Sequence, residues 1–277
     1  MYFTKVDEES GHLTHLLVLE VKQIKLWQRF PELLIMDCTY KTNKYYITIT
    51  CLRATTKTWN IRYLMPLFNI VGVTNLHSTF EITCAFLSGK LEADYTWCLE
   101  CLQSVAGKYQ IREPYCVVTD SEIALVNGLQ TVPFFVSSRN ILCIWHINQK
   151  VAEHFKVGLT DKEWEYLCQQ LKNLWAMPTK SEFCKHWQTL CESGLLSQDK
   201  INYINNQWIS KKRYFAHYKI DQYMHFGHYV SSRGEGAHHQ LKSFLETSTG
   251  TLLAVWKALQ SALQFMDTEY KTALAQE

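Results

Sequence analysis

An α/β architecture, a mixed sheet flanked by helices with an all-helical block before the last helices, is what this 277-residue sequence predicts. Three observations point there. Short apolar runs of strand length follow one another in hairpin order, strand and helix then alternate, and from Asp161 only helical spacing remains.

The elements follow in order. Residues 1–30 read as an N-terminal lead and helix, with Val21 to Phe30 amphipathic and stopped by Pro31. Strands are expected at 32–40, 65–73 and 79–87, each a near-continuous apolar run. Ser88-Gly89 makes a turn into a helix from Glu92 to Tyr109. A fourth strand, 115–119, leads into helical spacing from Glu122 to Gln130, and a fifth, 140–144, into a helix from His146. Residues 31–158 thus form the core and 159–228 the helical insertion. The C-terminal helices, 229–277, complete the core. Trp164, Leu167, Leu171, Leu174 and Trp175 mark one insertion helix, and Phe183, Trp187 and Leu190 a second. All four insertion tryptophans, including Trp208, have the spacing of buried helix faces, the alternative being that one of them stacks on an unpaired base. Within 46–64, Ile47, Ile49 and Cys51 alternate with threonines, and Trp59, Ile61 and Tyr63 with polar residues, as in an inserted hairpin.

A 47% hydrophobic share belongs to a packed chain, and a net charge of +2 is low for a protein that holds nucleic acid by charge alone. No apolar stretch reaches the ~18 residues of a membrane span. The acidic start, Asp7-Glu8-Glu9, does not read as a signal peptide. Ten cysteines without framework spacing suit a reducing compartment. Cys98-x-x-Cys101 and Cys143-x-x-His146 have the spacing of zinc ligands, but the first pair lies in a helical pattern where both cysteines can simply pack.

Three acids stand out. Asp37 interrupts the apolar run Leu33-Leu34-Ile35-Met36-Asp37-Cys38, where a charge needs compensation, by a cation or by solvent at an early strand end. Asp120 follows the fourth strand, where open α/β sheets place ligands, yet Thr119-x-x-Glu122 also matches a capping box. Glu235 lies between two glycines with His238 and His239 one helical turn on, and Ser232-x-x-Glu235 is again a capping-box match.

In order and phrasing, Asp-Cys-Thr-Tyr-Lys-Thr-Asn (37–43), Met-Pro-Leu-Phe-Asn (65–69), Phe-Leu-Ser-Gly (86–89), Val-Thr-Asp-Ser-Glu (118–122) and Cys-Ile-Trp-His (143–146) resemble the catalytic domain of Mutator-like element (MULE) transposases. The resemblance spans about residues 12–157 and thins to Ser-Arg-x-Glu-x-x-His around Glu235. It implies a ribonuclease-H-like fold with a five-stranded mixed sheet and a triad of Asp37, Asp120 and Glu235. Those acids would hold two Mg²⁺ (or Mn²⁺) ions for phosphodiester hydrolysis and strand transfer. Cys143 and His146 match a supporting signature beside the site. DNA, both element ends and target, is the implied partner, the nucleus the implied location, and self-association is compatible with it. A non-catalytic nuclear DNA-binding or regulatory protein derived from such an enzyme, or an inactive relic, is the alternative. Two departures stand against the pattern. The 46–64 segment separates phrases that the family keeps close, and the zinc-based DNA-binding module that usually precedes the core is not seen in this sequence.

Overall fold

The computed structural model describes residues 1–39, 65–155, 159–231 and 233, together with 260, 261, 263–265, 268, 271 and 272. The inserted-hairpin reading of 46–64 and the whole Glu235 to His239 phrase lie outside the described residues.

In chain order the first elements are β1 (Tyr2–Val6), β2 (Leu13–Val18), α1 (Val21–Arg29), β3 (Leu33–Thr39), β4 (Leu67–Val73) and β5 (Thr79–Phe86). They are followed by α2 (Glu92–Tyr109), β6 (Cys116–Thr119), α3 (Ile123–Thr131), the short α4 (Pro133–Val136) and β7 (Arg139–Leu142). The strands form one open mixed sheet in the order β1-β2-β5-β4-β3-β6-β7. Antiparallel pairing joins β1 to β2, β2 to β5, β5 to β4 and β4 to β3, whereas β3 and β6 run parallel.

Among the described residues seven strands replace the expected five, because the N-terminal lead is itself a hairpin. Its turn is fixed by Asp7, whose carboxylate takes the Ser10 N–H at 2.8 Å and whose carbonyl takes the Gly11 N–H at 2.8 Å. Gly11 there has φ +66°, a backbone that suits glycine. The fifth expected strand also stops two residues early. β7 ends at Leu142, and the next helix, α5 (Ile144–Phe155), starts where strand was expected.

Two compact units divide the chain, residues 1–138 with 231–277 and residues 139–230. In the first, one face of the sheet carries Leu17, Leu34, Met36, Phe68, Ile70, Ala85 and Val117, which form a single core with residues of α1, α2 and α3. Tyr95, Cys98, Leu99, Leu102, Val105 and Ala106 supply the buried stripe of α2 by their three- and four-residue spacing. Strand alternation aims Leu33, Ile35 and Asp37 at the other face.

Gly72 on β4 is directly opposite Phe80 on β5, and a Cβ there would stand 2.4 Å from the ring. Phe80 is itself buried, so the ring has little room to retreat. Gly72→Ala is therefore expected to cost about 1–3 kcal/mol in urea unfolding, as overpacking does. Unchanged stability would show that the ring moves freely.

The second unit is helical after β7. Its elements are α5, α6 (Asp161–Trp175), α7 (Lys180–Glu192), α8 (Gln198–Gln207), a 3₁₀ turn (Ile209–Tyr214) and α9 (His217–Ile220). Thr160 and Glu163 cap α6 reciprocally, with Glu163 N–H donating to Thr160 Oγ1 at 3.3 Å and Thr160 N–H to Glu163 Oε2 at 2.9 Å. Trp175 is the centre of the packing, edge-on to Phe215 at 5.1 Å and donating to Asn148 Oδ1 at 3.2 Å. Trp175 and Trp208 are buried as expected, but Trp164 and Trp187 are only half-buried. Trp187 lies on the rim with its indole N–H on Asn205 Oδ1 at 3.1 Å.

Candidate functional site

β3, which lies between β4 and β6, places Asp37 near its carboxyl end. Asp37 pairs with Asn69 of β4, and Met36 pairs with Thr119 of the parallel β6. The β3–β6 ladder ends at that pair, and Asp37 and Asp120 are the next residues along the two chain segments. Asp37 is 3% exposed, whereas Asp120 is half-buried at the strand tip. The structure thus brings two of the three candidate acids to one end of the sheet. Glu235, the third, lies outside the described residues. Arg233, two positions before it, donates to the His77 carbonyl and to Thr79 Oγ1 at 3.0 Å, at the start of β5.

The capping box expected at Thr119 and Glu122 does not form. Pairing with Met36 keeps Thr119 in β6, so the helix starts later, at Ile123, with Glu122 as its N-cap. Asp120 instead accepts the Glu122 N–H at 3.0 Å, a local turn that fixes one carboxylate oxygen.

A cation from the chain itself reaches this end. Lys90 donates its ammonium to the Cys38 carbonyl and lies 3.6 Å from Glu122 Oε2. It is held there by the turn before α2. Asp94 accepts Ser88 Oγ at 2.7 Å, the Leu91 N–H at 2.9 Å and pairs with buried His15 at 2.9 Å. Burial pushes the Cys38 thiol up to about 12, against the opposing pull of Lys90, so Cys38 stays a neutral thiol.

Behind Asp37 on the same face is an acid not singled out from the sequence. Glu81 of β5 is 2% exposed, and burial pushes its carboxyl up to about 8. The Cys84 thiol is shared between Glu81 Oε1 at 3.4 Å and Asn69 Oδ1 at 3.2 Å. Burial also drives the Cys84 thiol well above its ordinary range. The signal was available, since Glu81 interrupts an apolar strand just as Asp37 does.

Cys98 and Cys101 lie in the α2 core, their thiols pushed up by burial, Cys101 to about 11. That matches packing residues and not thiolate ligands. Cys143 is buried between β7 and α5, and His146 is half-buried in the first turn of α5. Among the described residues no group of three or more His, Cys, Asp or Glu side chains is arranged to hold a metal ion. Nor is any described helix long and apolar enough to cross a membrane.

Comparison with known proteins places these observations. The family model of the MULE transposase domain matches residues 49–150, so that domain is found over this stretch. The match includes Asp120, Cys143 and His146 and excludes Asp37 and Glu235. A curated protein of Chaetomium globosum, the PKS-NRPS hybrid synthetase cheA, is 22% identical over 211 residues. That alignment covers 68% of this chain and 4% of the fungal protein.

Proposed function

We propose, from the MULE transposase domain at residues 49–150, that the chain is a transposase-derived, DNA-binding nuclear protein whose acidic sheet end is neutralised from within. The observation that carries this reading is Lys90. Its ammonium lies against the Cys38 carbonyl, one residue from Asp37, and 3.6 Å from Glu122, two residues from Asp120. A tethered cation beside these acids competes with a free one for the same negative charge.

A second reading is favoured by the β3–β6 register, whose last pair, Met36 and Thr119, immediately precedes Asp37 and Asp120. Two carboxylates at the ends of adjacent strands, one almost wholly buried, are the donor type that hard divalent cations take. In that reading the chain is a transposase core for phosphodiester hydrolysis and strand transfer, with Glu235 as the third acid. Mg²⁺ or Mn²⁺ held by Asp37, Asp120 and Glu235 would stabilise charge on the attacking and leaving oxygens. The chain's own part is positional: Asp37 is fixed by its pairing with Asn69 of β4 and Asp120 by the Glu122 N–H.

Supercoiled plasmid with Mg²⁺ or Mn²⁺ separates the two. The first reading expects the native chain to shift the plasmid on a gel without nicking it. Nicking that disappears in Asp37→Asn, Asp120→Asn and Glu235→Gln alike would establish the second. A chain that neither binds nor nicks DNA would contradict both.

A further inference from the structure

The helical unit carries its charge unevenly. Residues 209–230 contain four Lys or Arg against one Asp, with three histidines, whereas α6 to α8 (161–207) hold five Lys against six acids. On this cationic stretch, hydrophobic side chains face solvent: Tyr223 is 38% exposed, Met224 55% and Phe226 49%.

The backbone presents Phe226 in an uncommon way. His228 N–H donates to the His225 carbonyl at 2.8 Å, closing a four-residue turn whose central residues, Phe226 and Gly227, have φ of +51° and +76°. Turns with both central φ positive favour Asn-Gly or Gly-Gly. A bulky aromatic at the first position is a strained choice, and such strain gathers at ligand clamps. Buried His225 anchors the turn, taking the Gly227 N–H at 3.1 Å and meeting Asp221 at 3.2 Å. Beside it, the Arg139 guanidinium lies 4.6 Å from the Tyr223 ring centre, and Arg213 lies 4.5 Å from that of Tyr214.

Exposed rings interleaved with guanidinium and ammonium groups are the chemistry of a surface that stacks on unpaired bases while cations follow the phosphates. We propose that the Tyr223–Phe226 loop binds unpaired DNA, Phe226 and Tyr223 stacking on bases and Lys211, Lys212 and Arg213 contacting the backbone. This rests on DNA being the partner, as proposed above, and adds where and in what form DNA is held.

The test is fluorescence anisotropy with the full chain, a labelled oligo(dT) strand and a blunt duplex, across a salt series. Phe226→Ala is expected to weaken oligo(dT) binding about tenfold and duplex binding less, the scale of one lost stacking contact. Lys211→Gln/Lys212→Gln should weaken both and flatten the salt slope. Tyr166→Ala, equally exposed on α6, serves as the control and should change neither. Phe226→Asn removes the ring from a turn that asparagine tolerates, so it should lose oligo(dT) while remaining folded by circular dichroism. Native affinity for oligo(dT) in Phe226→Asn would overturn the proposal while leaving DNA as the partner. Self-association abolished by Phe226→Ala, with DNA binding unchanged, would overturn it in favour of a protein-docking loop. A native chain that binds neither DNA form would overturn both this and the reading beneath it.

Discussion

Glu81→Gln is expected to stabilise the protein at pH 8 by several kcal/mol and to leave it nearly unchanged at pH 5. Glu81 is pushed by burial from about 4.5 to about 8, so the folded chain keeps a proton that the unfolded chain has released. Across that window raising the pH favours unfolding, by about 1.4 kcal/mol per unit. The contribution of Glu81 is fully present below pH 4.5 and lost as pH rises through 8, a total on the order of 3–5 kcal/mol. Glutamine keeps the shape and an acceptor for Cys84, and it does not titrate. Melting curves of both proteins should therefore diverge by about 5–10 °C between pH 5 and pH 8. His15 acts in the opposite sense, its pKa lowered by burial, so its contribution is lost as pH falls below 6.5. It is common to both proteins and drops out of the difference. Parallel melting curves would show that Glu81 is charged in the fold.

Legibility in the sequence followed how local each signal was. The α2 helix, Glu92–Tyr109, is found as expected because its buried stripe lies within one segment. β3 and β6 were visible as apolar runs, and Asp37 and Asp120 stood out against them. β1 was not visible, because as an edge strand it is mostly exposed and only Phe3 packs on the core. β2 was obscured by His15, a polar residue that is buried only because distant Asp94 pairs with it. The capping match at Thr119 was a true spacing overruled by a strand partner, Met36, far away in sequence. Lys90 gave no signal at all. Ser88-Gly89-Lys90 reads as an ordinary turn, and only the fold brings its ammonium to the Cys38 carbonyl, 52 residues away in sequence.

Competition between Lys90 and a divalent ion is the most direct point of attack. Removing the ammonium takes one positive charge from the sheet end that carries Asp37 and Asp120, and a cation binding there should gain about tenfold or more in affinity. The gain must depend on the acids, since losing even an outer partner of a ligand typically costs about 10–100-fold in metal affinity. Mn²⁺ titration followed by electron paramagnetic resonance, on the folded full chain, reads this without any assay of activity. Weak binding is expected of the native protein, at least tenfold tighter binding of Lys90→Gln, and loss of that gain in Lys90→Gln/Asp37→Asn and Lys90→Gln/Asp120→Asn. Mn²⁺ affinity unchanged by Lys90→Gln, or a gain that survives removal of both aspartates, would contradict that competition.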